Sequence, residues 1–152
     1  MAISDQGKII TLWAVFLLGT VFHAQLGLMP LFHGKSIVEI GANPAADIDW
    51  IMWLMLGFFT LPMFAMVATS LTEVKPYRKA HFYLTAFYTV MNFLHVVFDL
   101  MVTPIFWYQI ALMAILFANG ILLNVVSYQW MQEHMEIQDP PLSPLGKADS
   151  FR

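Results

Sequence analysis

Residues 50–72 read WIMWLMLGFFTLPMFAMVATSLT, and this stretch contains no Asp, Glu, Lys or Arg. About 20 mainly apolar residues are enough for an α-helix to cross the hydrocarbon core of a bilayer. The rest of the chain has the same character, because 59% of its 152 residues are hydrophobic and only 11% are charged. Soluble domains carry roughly 25% charged residues, so the composition indicates an integral membrane protein.

Two further stretches extend this pattern along the chain. Residues 9–34 contain no Asp, Glu, Lys or Arg, and residues 80–132 contain only Asp99. Since the longer stretch exceeds one span, Thr103 and Pro104 are predicted to begin a new helix, as its cap and its first residue. The sequence therefore predicts an all-α, up-and-down bundle of four transmembrane helices, with spans at about 7–30, 49–72, 79–102 and 104–132.

Basic side chains mark one side of the predicted bundle. Lys35 is the single basic residue on the side of the loop at 33–48, and the others fall on the opposite side: Lys8, Lys75, Arg78, Lys79, Lys147 and Arg152. The positive-inside rule then places both termini in the cytoplasm. The prediction is a transmembrane domain at 1–132 and a polar cytoplasmic tail at 133–152, in a bacterial inner membrane or an equivalent one.

The aromatic and proline residues add two structural expectations. Aromatic belts form at membrane–water interfaces, and the tryptophans lie mostly near predicted span ends: Trp13, Trp50, Trp53, Trp107 and Trp130. The second span has no internal histidine or carboxylate, and Pro62 is expected to kink it. This span is therefore interpreted as scaffold.

Composition and motif content exclude several kinds of site. The chain has no cysteine, so it forms no disulfide, thiolate metal site or Cys nucleophile. A net charge of −3 argues against nucleic acid as a partner, since nucleic-acid binding requires a basic face. The sequence contains no Gly-rich phosphate loop and no nucleophile elbow.

The third span carries polar residues along one helix face. They recur at spacings of four, three, four, three and four: His81, Thr85, Tyr88, Asn92, His95 and Asp99. These spacings keep all of them within about 40° of one line. Because an unsatisfied polar group in lipid costs several kcal/mol, this stripe is expected to face the bundle interior or a watery cavity. Hydrogen bonding between helices and a functional site both remain open as explanations.

Histidine depth indicates where a site would form. At 1.5 Å per residue, His23 of the first span and His95 of the third lie at a similar depth, and we expect them to bind one metal from opposite sides. Asp99 is predicted to accept the second ring N–H of a metal-bound histidine. Gly19 and Gly27 follow the His23 line, where they would admit either a flat macrocycle or a neighbouring helix.

The pair of histidines in the third span is similar to a known haem-binding pattern. His81 and His95 have thirteen residues between them, a spacing that resembles the paired haem ligands on one helix of the cytochrome b family. That family needs a matching pair on a second helix, and here His23 matches only His95. His81 is therefore interpreted as an interfacial residue, and His33 and His134 as solvated ones.

Several functions compete at this point. The first is a small b-type electron-transfer subunit of a larger membrane complex, with one haem b between His23 and His95 and a partner subunit at one membrane face. Tyr88, Asn92 and Asp99 would tune its potential or contact a quinone. The second is a structural or assembly subunit, including a chlorophyll-binding one in a photosynthetic membrane. The third is an enzyme acting on a lipid, sterol or quinone through His95 and Asp99, and the fourth is a metal or proton transporter.

Overall fold

A computed structural model of the chain describes residues 3–37, 47–101 and 103–136, without the side chains of 134–136. Within these ranges the chain forms helices and no strand. The helices are α1(Asp5–Phe32), α2(Asp49–Leu71), α3(Lys75–Met101) and α4(Trp107–Glu136). Each contains a segment long and apolar enough to cross a membrane. The prediction of an all-α fold with four helices that could cross a membrane is confirmed, while the predicted tail from 137 onward lies outside the described residues.

Two differences from the predicted spans lie at the helix connections after α2. α3 begins at Lys75 instead of at 79, and α4 begins at Trp107 instead of at Pro104. At the start of α4, the backbone N–H of Gln109 donates to the carbonyl of Phe106 at 2.9 Å. Thr103 and Pro104 lie in the preceding connection, joined by a cis peptide bond. The prediction that they begin the fourth helix is therefore wrong.

α4 holds the bundle together, because it packs along both α1 and α3, whereas α2 packs against α1. The start of α1 meets the end of α2, where Gln6 Nε2 donates to the Thr69 carbonyl at 3.2 Å. The start of α3 meets the end of α4, where Arg78 Nη1 donates to the Trp130 carbonyl at 2.7 Å. Neighbouring helices therefore run antiparallel. We call the end where α1 and α3 begin the lower end of the bundle, and the end where they finish the upper end.

The apolar core lies toward the lower end, where aromatic rings of different helices meet. Trp13 of α1 packs edge-on against Tyr88 of α3 with centroids 5.3 Å apart. Trp13 and Trp130 are only 0% and 2% exposed, so the prediction of an interfacial belt is wrong for these two residues. A buried indole needs an acceptor for its N–H, and Trp13 finds one in His81 at 3.0 Å. Trp50, Trp53 and Trp107 are exposed.

Two tyrosines of α3 reach carbonyl groups of α2. Pro62 has no N–H, so it leaves the carbonyl of Phe58, four residues earlier, without its helical partner. The Tyr88 hydroxyl donates to this carbonyl at 2.7 Å, and the Tyr77 hydroxyl donates to the Ala65 carbonyl at 2.7 Å. Both bonds connect α2 with α3, and the Tyr88 bond gives the Phe58 carbonyl the partner that Pro62 removes.

Candidate metal centre

The polar stripe of α3 divides into two parts with different surroundings. His81, Thr85 and Tyr88, called here the lower stripe, are buried. Asn92, His95 and Asp99 form the upper stripe, in which Asn92 is 4% exposed and the side chains of His95 and Asp99 are 51% and 23% exposed. The expectation that the stripe faces the interior is therefore confirmed from His81 to Asn92.

The side chains of the lower stripe make hydrogen bonds within the protein, although the buried Nδ1 of His81 has no partner among the described residues. His81 Nε2 accepts the Trp13 indole N–H at 3.0 Å, and the ring lies edge-on to Trp130 with centroids 5.8 Å apart. Thr85 Oγ1 donates to the carbonyl of Phe82 at 2.8 Å. His81 lies near the lower end, as its interpretation as an interfacial residue requires, but it is enclosed by the bundle. The His81 contacts match the helix-to-helix explanation of the stripe, whereas the Thr85 hydroxyl bonds within its own helix.

The upper stripe meets a histidine of α1. His23 Nε2 and His95 Nε2 are 3.3 Å apart. Asp99 Oδ2 lies 3.6 Å from His23 Nε2, and Asp99 Oδ1 lies 3.5 Å from His95 Nε2. His23 lies on α1, and His95, 72 positions later in the chain, lies on α3 with Asp99. These three residues, all singled out from the sequence, come together with one potential ligand atom each.

These separations suit a single metal ion. Zn²⁺ bonds to histidine nitrogen and carboxylate oxygen are about 2.0–2.2 Å long, which sets donors around a tetrahedral ion about 3.3–3.6 Å apart. The Nε2 atoms of His23 and His95 are 3.3 Å apart, and each lies 3.5 to 3.6 Å from a different oxygen of the Asp99 carboxylate. One donor atom from each residue lies within 4.8 Å of the others. Two histidines and one carboxylate also form the donor set of non-haem iron sites with open positions.

Asp99 occupies a different place from the one predicted for it. Its oxygens face the Nε2 atoms of both histidines, so the carboxylate lies among the donor atoms and not behind an imidazole ring. Within the described part of the chain, the buried Nδ1 of His23 has no hydrogen-bond partner. The arrangement therefore makes Asp99 a third donor instead of an orienting group.

The position of Asp99 also affects whether a haem fits between His23 and His95. Two axial histidines bind one ion from opposite sides, which separates their nitrogens by about 4 Å, compared with 3.3 Å here. The Asp99 carboxylate also lies beside the line that joins the two Nε2 atoms. A macrocycle centred on that line would need this space, so the side-chain positions favour a bare ion.

A cleft of about 360 Å³ opens beside His95. Phenylalanines of three helices line it, namely Phe16, Phe58 and Phe98, and Asn92 forms part of the wall. The Asn92 Nδ2 makes no hydrogen bond within the described structure. A buried donor without a partner costs free energy, so this amide marks the place in the cleft where a bound group would gain most.

The other residues predicted for the site serve packing. The Tyr88 hydroxyl is committed to the Phe58 carbonyl. A Cβ on Gly19 would overlap Cδ2 of Leu116, and one on Gly27 would come within 3.3 Å of Gln109 Nε2. Both glycines therefore face α4, and at Gly19 the close approach of a neighbouring helix is the explanation that the structure favours.

Sequence reasoning missed the phenylalanine walls of the cleft, because residues that line a cleft and residues that face lipid are equally apolar. His33 is exposed at the end of α1 and lies outside the cluster, while the His134 side chain is outside the described residues. No known protein family, curated protein or solved structure matches this chain. Its function therefore has to be inferred from the His23–His95–Asp99 cluster and the adjoining cleft.

Proposed function

We propose that this protein binds one transition-metal ion within the membrane through His23, His95 and Asp99. The supporting observation is that one donor atom from each of the three residues lies within 4.8 Å of the others, with the two histidine Nε2 atoms 3.3 Å apart. Neutral imidazole and carboxylate together suit zinc and ferrous iron. Three protein donors leave a coordination position for water or substrate, which is the pattern of catalytic sites and not of structural ones.

The favoured function is that of a small metal-dependent membrane enzyme acting on a lipid-soluble substrate. His95 belongs both to the cluster and to the wall of the apolar cleft, so a molecule in the cleft lies next to the ion. The ion would polarise an oxygen of that molecule or activate a bound water. Lipids, sterols and quinones are the candidate substrates that reach such a cleft from the bilayer.

A second candidate is the b-type electron-transfer subunit. It is supported by the facing Nε2 atoms of His23 and His95, which belong to the two helices that haem ligation requires. Haem binding would require these atoms to move apart to about 4 Å and Asp99 to leave its position beside them. Chlorophyll, held by one of the histidines in a structural subunit, would also need Asp99 to leave its position beside them.

The proposed orientation places both termini in the cytoplasm, because six of the seven basic residues fall on the side of the termini. A partner subunit at one membrane face fits a chain with so little mass outside its four helices. Epitope accessibility at each terminus in sealed vesicles would test the orientation.

The test of the metal centre is the metal content of protein purified from membranes, together with its absorption spectrum. The proposal predicts about one iron or zinc ion per chain and no Soret band. His23→Leu, His95→Leu and Asp99→Asn should each remove most of the metal, because each deletes one of three donors. His33→Leu is the matched control, since His33 is exposed and outside the cluster.

Two results would contradict the metal centre. One is full metal content in all three cluster variants. The other is a red preparation whose Soret band splits or shifts on reduction, which would support the haem candidate. A green preparation would support chlorophyll and the structural role.

A further inference from the structure

The cleft beside His95 is placed and shaped for a flat, lipid-soluble molecule. Phe16 and Phe58 lie near the middle of α1(Asp5–Phe32) and α2(Asp49–Leu71), so the cleft begins near the middle of the bundle and extends to Phe98 toward its upper end. Its volume of about 360 Å³ falls within the range of small-molecule sites, roughly 300–1,000 Å³. Aromatic walls favour a flat ring, which they contact through offset or edge-on packing.

Asn92 presents an unmet hydrogen-bond donor in the wall of this cleft. The residue is 96% buried, and its Nδ2 lacks an acceptor among the described residues. The two asparagines of α4 are different: Asn119 Nδ2 donates to the Leu12 carbonyl at 3.0 Å, and Asn124 Nδ2 donates to Thr89 Oγ1 at 2.8 Å. An acceptor oxygen on a bound molecule would give the Asn92 amide a hydrogen-bond partner, as the amides of Asn119 and Asn124 already have.

His95 supplies a second donor when a metal is bound. A metal on Nε2 leaves the imidazole proton on Nδ1. In the described part of the chain the contacts of this ring run through Nε2, and no acceptor meets Nδ1. Asn92 and His95 are one helical turn apart and both line the cleft, so one molecule has access to both residues.

We infer that the cleft binds a flat, carbonyl-bearing molecule of the quinone class. A carbonyl oxygen accepts from Asn92, and the ring lies among Phe16, Phe58 and Phe98. The inference rests on the proposed metal site only for the proton on His95 Nδ1. A hydrocarbon of the same shape fills the cleft but leaves the amide unmet, so it binds more weakly.

The experiment measures binding of decylubiquinone to the full chain in nanodiscs, with the metal content of the same sample determined by mass spectrometry. Asn92→Leu should weaken binding about tenfold while metal content stays unchanged, since Asn92 is not a metal donor. Thr20→Val is the matched control. Thr20 lines the same cleft, but its hydroxyl already donates to its own helix at the Phe16 carbonyl, 2.7 Å away, so affinity should stay within about twofold.

Competition on the unaltered protein provides a test that does not depend on a variant. Decylbenzene, which has the alkyl chain and ring without carbonyl oxygens, should displace the quinone only at a concentration about tenfold higher than unlabelled decylubiquinone needs. Equal competition by decylbenzene, or wild-type affinity in Asn92→Leu, would overturn the inference. Failure of the metal site would look different: the protein would lack metal, and quinone binding would still depend on Asn92.

Discussion

The lower and upper stripes of α3 use similar residues at the same helical spacing, yet they have different surroundings. In the lower stripe, His81 accepts from a tryptophan and Tyr88 donates to a backbone carbonyl, both within hydrogen-bonding distance. In the upper stripe, Asn92 has no partner in the described structure, and His95 and Asp99 meet only His23. The lower stripe thus bonds to an indole of α1 and a backbone carbonyl of α2, whereas the upper stripe faces an imidazole of α1. Each stripe also has one buried nitrogen without a partner among the described residues, His81 Nδ1 and Asn92 Nδ2.

This difference teaches that polar residues in a membrane helix have to be judged by their partners. A paired histidine such as His81 stabilises helix packing and needs no ligand to explain it. A histidine such as His95, which faces a second histidine and a carboxylate across a partly open gap, is the kind for which we propose a bound cation. We therefore expect changes in the lower stripe to affect folding and changes in the upper stripe to affect binding.

The largest difference in stability is expected for matched aromatic truncations. Trp13→Ala should lower the free energy of unfolding by about 3–5 kcal/mol, because it empties a fully buried site and removes the donor to His81. Phe98→Ala should cost less than about 1 kcal/mol, because Phe98 is 63% exposed. Unfolding in mixed detergent micelles measures both variants, and similar losses would contradict the placement of the apolar core toward the lower end of the bundle.

Glycine substitutions should show a smaller difference of the same kind. Gly19→Ala is expected to destabilise the fold by about 1–3 kcal/mol, because the new methyl overlaps the buried side chain of Leu116. Gly57→Ala is the matched control, since a Cβ at Gly57 has no neighbour within 4 Å. The same unfolding assay applies. A neutral Gly19→Ala would show that α1 and α4 have room between them for another group.

The bond between Tyr88 and Phe58 allows a test by rescue. Tyr88→Phe should cost about 1–2 kcal/mol, because it leaves the Phe58 carbonyl without any donor. Pro62→Ala restores a backbone N–H four residues after Phe58, so the loss on Tyr88→Phe should shrink in the Pro62→Ala background. A double-mutant cycle on unfolding free energies measures this coupling. Strict additivity would mean that the proline and the tyrosine are unrelated.

The smallest expected effect has the opposite sign. Asn92→Leu should leave stability unchanged or raise it by up to about 1 kcal/mol, because it replaces a buried amide whose donor is unmet. Asn119→Leu is the comparison, since Asn119 is also buried but its amide donates to the Leu12 carbonyl. That variant should destabilise the fold by about 1–2 kcal/mol. Equal losses would show that Asn92 is as well paired as Asn119.

Lowering the pH should weaken metal binding at the upper stripe. Metal binds neutral imidazole and ionised carboxylate, so protons compete for His23, His95 and Asp99. Metal occupancy should therefore fall as the pH is lowered from about 7.5 to about 5. Equilibrium dialysis against a fixed free-metal concentration measures this, and occupancy that rises with acidity would contradict the donor set.

Much of the fold follows from the sequence, because membrane-length apolar stretches and the spacing of the α3 stripe are visible in it. The common depth of His23 and His95 is also visible, since helical rise fixes depth. The burial of Trp13 was not predictable, because core and lipid-facing positions are both apolar in a membrane protein. The position of Asp99 among the donors depends on a side-chain rotamer, and the partner of Tyr88 depends on the register between α2 and α3.

X-ray absorption at the metal edge, on protein purified from membranes, tests the central claim most directly. The account predicts one ion with two imidazole nitrogens and at least one oxygen at about 2.0–2.2 Å. In His23→Leu most of the metal signal should be lost, and the imidazole contribution per ion that remains bound should fall by half. An ion surrounded by four pyrrole nitrogens, or a metal signal without imidazole scattering, would contradict the centre formed by His23, His95 and Asp99.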